Sequence, residues 1–341
     1  MLETIWFVLW ALLWAVYFVL DGFDLGVGTL LPFLGRKESE RKAMYAAAGP
    51  FWDGNEVWLI SAGGVTFAAF PNAYAVLFSA LYAPLLMLLF ALIFRAVSFE
   101  FRDKVEHPAW RGLWDGVHFL ANLVPCILLG VAFANLFMGI PVDVQGVYHG
   151  SLPELLNVYG LAGGVFFCFM FVHHGAIWLA AKTRGDLQVK ALGAATFCWP
   201  IVLVLLVAFL GLTASHTDLY DNYKASPTLL ALPAIALLGL VGARTALRAG
   251  KLWTAFAWDA VFIIGVTFFG VMGMFPRLII SSLDPIASVT ILNGASTPLT
   301  LKIMLGVAAV MVPIVLIYQG WVYRLFSDAV DGEEKSGAAH Y

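Results

Sequence analysis

The sequence predicts an all-α integral membrane protein of about nine transmembrane helices, with the N-terminus outside and the C-terminus cytoplasmic. Three observations carry that reading. The 341 residues are 61% hydrophobic and 12% charged, with a mean hydropathy of +0.87, whereas soluble domains carry about 25% charged residues. The apolar residues lie in long continuous runs, not in the short alternating segments of a membrane barrel. Finally, 16 of the 19 Lys and Arg residues fall on one side of the topology that these runs define.

About 20 apolar residues cross the hydrocarbon core. On that basis the spans are 4–31, 50–70, 73–97, 112–137, 156–181, 188–212, 228–247, 253–275 and 299–325. The first run is read as a retained helix: Met1-Leu2-Glu3-Thr4-Ile5 has no basic segment, and no small-residue cleavage site precedes Asp21. The second span opens with Pro50, suited to a first helical turn, and a tight turn at Phe70-Pro71-Asn72-Ala73 joins it to the third. The basic residues cluster after spans one (Arg36, Lys37, Arg41, Lys42), three (Arg95, Arg102, Lys104, Arg111), five (Lys182, Arg184, Lys190), seven (Arg244, Arg248, Lys251) and nine (Arg324, Lys335), leaving only Lys224, Arg277 and Lys302 opposite. By the positive-inside rule those connections are cytoplasmic. The outer loops 138–155, 213–227 and 276–298 are poor in Lys and Arg, and the last, with Ser281-Ser282-Leu283-Asp284-Pro285, is expected to cap the outer face. Residues 1–326 form the membrane domain and 327–341 a short, polar, solvated cytoplasmic tail. Cys126, Cys168 and Cys198 lie singly in apolar runs and read as small buried hydrophobes. The net charge of −3 argues against a nucleic-acid partner.

Ionisable residues inside the spans carry the chemistry. Asp21 and Asp24 stand three apart in span one, and Asp53 and Glu56 three apart at the head of span two, each pair on one helix face with Trp52 beside the second. A charge at mid-membrane costs about 2.5–3.5 kcal/mol on the insertion scale, so such residues are paired, protonated or wetted. The topology brings Asp21, Asp24, Trp52, Asp53, Glu56, Arg95 and Asp115 to the cytoplasmic side of the bundle. One arginine against five carboxyls leaves acids that can hold and pass protons, with Arg95 pinning one or two as carboxylates. The bland alternative is a polar helix contact, or interfacial anchoring for Arg95 and Asp115. Gly22 and Gly26 make a GxxxG step that admits a neighbouring helix. His118, His173 and His174 lie within spans; each reads as an interhelical hydrogen-bonding group or an axial ligand of haem iron. Adjacent histidines point about 100° apart and cannot share one metal from one face. Asp259 stands as an isolated inner acid in span eight.

These residues resemble subunit II of the cytochrome bd-type quinol oxidases. The leading matches are Asp21-Gly22-Phe23-Asp24-Leu25-Gly26-Val27-Gly28 and Trp52-Asp53-Gly54-Asn55-Glu56-Val57-Trp58. Phe67-Ala68-Ala69-Phe70-Pro71, Arg111-Gly112-Leu113-Trp114-Asp115 and Met274-Phe275-Pro276 extend the likeness along the chain. The resemblance implies a subunit of a bacterial inner-membrane quinol:oxygen oxidoreductase, not catalytic alone. A larger subunit I would hold two haems b and one haem d and oxidise quinol, leaving no cofactor or metal on this chain. It implies that Asp24, Trp52, Asp53, Arg95 and Asp115 support the dihaem site and a cytoplasmic proton path, to which the residue reading adds Asp21 and Glu56. A single-helix accessory subunit and membrane lipid are further expected partners. The competing readings are an ion-coupled transporter, with its site between broken helices, and a purely structural scaffold.

Overall fold

The fold is taken from a computed structural model, which describes residues 1–330; most of the expected tail, 331–341, lies outside the described residues. The chain is a bundle of long helices: α1 (Leu2–Leu34), α2 (Glu38–Ala48), α3 (Trp52–Ala69), α4 (Pro71–Ala80), α5 (Tyr82–Phe101), α6 (Pro108–Met138), α7 (Leu152–Leu155), α8 (Val158–Lys182), α9 (Gly185–His216), α10 (Leu219–Ala225), α11 (Ala231–Arg248), α12 (Leu252–Met274) and α13 (Pro298–Leu325). Among the described residues, eight helices are long and apolar enough to cross a membrane. They coincide with eight of the nine expected spans. The remaining one is α3, whose 18 residues begin with Asp53, Asn55 and Glu56, which dilute its apolar character.

Two departures from the expected spans have local causes. The third span is broken into α4 and α5 at Leu81. Pro84 has no N–H to donate to the Ala80 carbonyl and its ring crowds that carbonyl, which kinks a helix at this point. Residues 38–48, read from the sequence as part of a loop, form α2. Its start is fixed by Glu40, whose carboxylate accepts from the backbone N–H groups of Arg36 and Lys37 at 2.9 Å each, a capping arrangement worth about 1 kcal/mol.

Helix α8 is central and α13 peripheral: 83% of the apolar window of α8 is buried within the chain against 6% for α13. The close approach of α1 to α8 depends on glycine. A Cβ on Gly26 would lie 1.9 Å from the Phe171 carbonyl oxygen, and one on Gly22 2.7 Å from the Phe171 ring. The expected GxxxG step is therefore the seam between these helices. At the end where α1 starts, strands β1 (Arg277–Ile279) and β2 (Val289–Thr290) pair antiparallel and, with residues 140–142, close the bundle. At the other end lie α2, the start of α3 and the end of α13. There the first tail residues are not free in solvent: buried Lys182 donates to the carbonyls of Phe326 and Asp328, and the Val330 N–H donates to the Lys182 carbonyl at 2.7 Å.

Candidate functional site: a buried arginine–carboxylate cluster

The site forms where α1, α3, α5 and α13 meet. Arg95 is fully buried near the end of α5. Its Nη1 lies 2.8 Å from Asp21 Oδ1 and its Nη2 2.7 Å from Glu56 Oε2. A guanidinium presents its donors as a planar fork, so it can hold two carboxylates from two helices at once. Asp24, one turn along from Asp21, receives no arginine; its Oδ2 accepts from Asn55 Nδ2 at 2.7 Å. Asn55 also donates to the Leu20 carbonyl at 3.1 Å, and its Oδ1 accepts from Gln319 Nε2 at 3.1 Å and from the Tyr323 hydroxyl at 2.8 Å. Gln319 in turn accepts from Trp58 Nε1 at 2.9 Å. This amide network ties the otherwise exposed α13 to the acid cluster. The second oxygen of Asp24 is buried and has no hydrogen-bond partner among the described residues, and the buried Tyr17 hydroxyl, one turn before Asp21, interacts with the Asp21 carboxyl.

Asp115 belongs to a second, more peripheral cluster. Arg102 Nε lies 2.6 Å from its Oδ1 and Arg41 Nη1 3.0 Å from its Oδ2. Arg102 also grips Glu38 of α2 with two hydrogen bonds of 3.0 Å. Burial alone would raise the Glu38 carboxyl, but the hydrogen bonds from Arg102 and the charges of Arg102, Arg111 and Arg41 outweigh it and hold the group below its ordinary value. Tyr45, under the Arg102 guanidinium at 5.0 Å, is pushed up by burial and by the Asp115 charge. The rings of Tyr45, Phe99 and His118 pack together beside this cluster, with His118 Nδ1 2.7 Å from the Ser98 hydroxyl. Trp52 stacks on Phe99 at 5.3 Å.

The structure thus joins Asp21, Glu56 and Arg95 directly, adds Asp24 through Asn55, leaves Asp53 exposed at the head of α3, and gives Asp115 its own arginines. The count of one arginine for five carboxyls is corrected accordingly. Asn55, Gln319 and Tyr323 were not singled out in the sequence. The available signal was the polar pair Gln319 and Tyr323, four apart on one face of an apolar helix. Asp259 is not isolated either, since His173 and His174 both reach it. Within the chain His118 engages Ser98, and the other two histidines engage Asp259.

A multi-pass helical membrane protein with a buried arginine–carboxylate cluster at one end is the class that fold and site define. The chain belongs to the cytochrome bd terminal oxidase subunit II family, whose model matches residues 2–326. It is 37% identical to subunit 2 of the cytochrome bd ubiquinol oxidase of Bacillus subtilis, covering 98% of both chains. It is also 37% identical to subunit 2 of the cytochrome bd-I ubiquinol oxidase of Escherichia coli, covering 94% of this chain and 93% of the relative. The fold is similar to that of a chain in the bd oxidase structure from Geobacillus thermodenitrificans, with a TM-score of 0.77, 16% identity, and coverage of 95% and 98%. The chain is therefore a multi-pass protein of the bacterial inner membrane and a subunit of a cytochrome bd terminal oxidase complex, with subunit I as its partner. Family membership replaces the transporter reading.

Proposed function

We propose that this chain supports the dihaem site of subunit I and supplies that complex with protons from the cytoplasm. In this reading quinol oxidation and all three haems belong to subunit I, and the chain ligates no haem iron. The observation that carries the proposal is the Arg95 cluster: one fully buried guanidinium faces Asp21 and Glu56 at 2.8 and 2.7 Å, with Asp24 alongside on Asn55. With all three carboxyls ionised the cluster would hold a net charge of −2 out of water, so neutrality asks it to keep protons. Groups that hold protons beside a fixed positive charge can also release and regain them.

Direction follows from what surrounds the cluster. Asp53, exposed one turn before Glu56, is the entrance; Glu56 follows, with Asp21 and Asp24 deeper. Beyond Tyr17 the way is filled by rings, Trp14 on Phe133 at 5.0 Å and Phe18 on Phe133 at 5.2 Å. These packed rings support an exit sideways, towards the partner, for protons that enter at Asp53. Arg95 and Asp115 fix geometry, and Trp52 packs at the partner interface.

A structural role is the second reading, favoured by the pairing of Arg95 with both carboxylates. One experiment separates the two. Asp53→Asn in the intact complex is expected to slow quinol-driven oxygen consumption while the haem b and haem d bands keep their amplitudes. Unaltered turnover contradicts the entrance role, and loss of haem d assigns the residue to assembly.

A further inference from the structure

Away from the Arg95 cluster the chain buries a second set of titratable groups. His173 and His174 are consecutive on α8, yet both reach the single carboxylate of Asp259 on α12. His173 Nδ1 lies 2.9 Å from Oδ1, and His174 Nδ1 2.8 Å from Oδ2. All three side chains are fully buried. The other ring nitrogen of His174, Nε2, lies 3.0 Å from the carbonyl oxygen of Val19 on α1. The ring itself is held by Phe256, stacked at 4.5 Å, and by Phe23 at 6.3 Å.

The acceptors fix where protons must be. A carbonyl oxygen can only accept, so Nε2 of His174 carries a hydrogen. In a neutral imidazole with its hydrogen on Nε2, Nδ1 is a lone-pair acceptor. An ionised carboxylate oxygen is an acceptor too, and two acceptors 2.8 Å apart would repel. A further proton must therefore lie between Nδ1 and Oδ2, borne by one or the other. As imidazolium with carboxylate, or as imidazole with carboxylic acid, the pair is neutral overall, which is what burial away from water favours. His173 contributes a second imidazole on the other carboxylate oxygen, and its Nε2 has no partner among the described residues.

We propose that His174 and Asp259, with His173 beside them, form a proton-binding site of this chain that keeps one bound proton in the resting complex. Through His174 Nε2 the same site clasps α1 at Val19, two residues before Asp21. The surroundings contribute a carbonyl and Phe23 from α1 and Phe256 from α12; the charged groups that face Asp259 are the two imidazoles. Asp21 and Asp24, further along α1, are engaged by Arg95 and Asn55. The site does not depend on the proton route proposed above.

The test is solid-state magnetic resonance of the intact complex, with isotope-labelled histidine and aspartate, at neutral pH. The consecutive His173–His174 pair provides the assignment. The expected result is a His174 ring with hydrogen on Nε2, together with either a hydrogen on Nδ1 or a protonated Asp259 carboxyl. In Asp259→Asn the amide donates to Nδ1, so the extra proton signal is expected to vanish and leave a neutral ring with hydrogen on Nε2. A neutral His174 with bare Nε2 beside an ionised Asp259 would overturn the proposal, as would persistence of the extra proton in Asp259→Asn. If that variant does not assemble, the unsubstituted complex decides.

Discussion

Arg95 is placed where its loss cannot be absorbed. Its guanidinium is sealed from solvent and neutralises carboxyls from α1 and α3 together. Arg95→Leu would strand Asp21 and Glu56, and breaking a buried ion pair in this way costs about 3–5 kcal/mol. The expected outcome is a large drop in assembled complex recovered from membranes. Arg95→Lys keeps the charge but not the planar fork, so it is expected to fall between the two, and equal recovery of all three would refute the role. At this scale the sequence was readable where a charge stood against an apolar background, as at Asp21, Asp24 and Arg95. It was not readable where partners are far apart along the chain. Asp259 meets His174 across 85 positions and Asn55 meets Tyr323 across 268, and no periodicity reports such pairings.

At the scale of elements, two contacts set the position of the site. The first is the α1–α8 seam. Gly26→Ala puts a methyl group 1.9 Å from the Phe171 carbonyl oxygen, and this is backbone that cannot swing aside. The helices must part, at a cost of about 1–3 kcal/mol for overpacking; the thermal midpoint of the purified complex is expected to fall, and an unchanged midpoint would count against a rigid seam. The second contact is the latch of α2 on Arg102 through Glu38. Glu38 is held below its ordinary value of 4.5, so its contribution is present above that pH and is lost as pH falls through the lower folded value. Hydrogen exchange of α2 is expected to accelerate on acidification below 4.5, with the acid sensitivity reduced in Glu38→Gln; identical profiles would discount the latch. The spans were legible because a continuous apolar run needs no tertiary information. The break at Leu81 was not, because Pro84 sits in a run of unchanged hydropathy. Nor was α2, whose charged positions read as a loop until Glu40 is seen capping its start and Arg102 gripping Glu38.

Across the whole molecule, the chain is closed at one end by the strand pair and residues 140–142, while its polar clusters gather at the other. Aromatic rings separate the Arg95 cluster from the strand end, and α13 is stitched to it through Gln319 and Tyr323. The proposed function uses this arrangement, with protons received on one side and passed laterally to the partner. In the proposed function, protons consumed during oxygen reduction pass through the Arg95 cluster. The most direct measurement is the rate of proton uptake after the reduced complex is mixed with oxygen, compared between the unsubstituted chain and Asp24→Asn. Asparagine can replace the hydrogen bond to Asn55 but cannot carry a proton. The expected result is uptake slowed by about tenfold or more, at least about 1.4 kcal/mol on the barrier, with haem spectra unaltered; uptake at the unsubstituted rate, with the haems intact, would rule that route out.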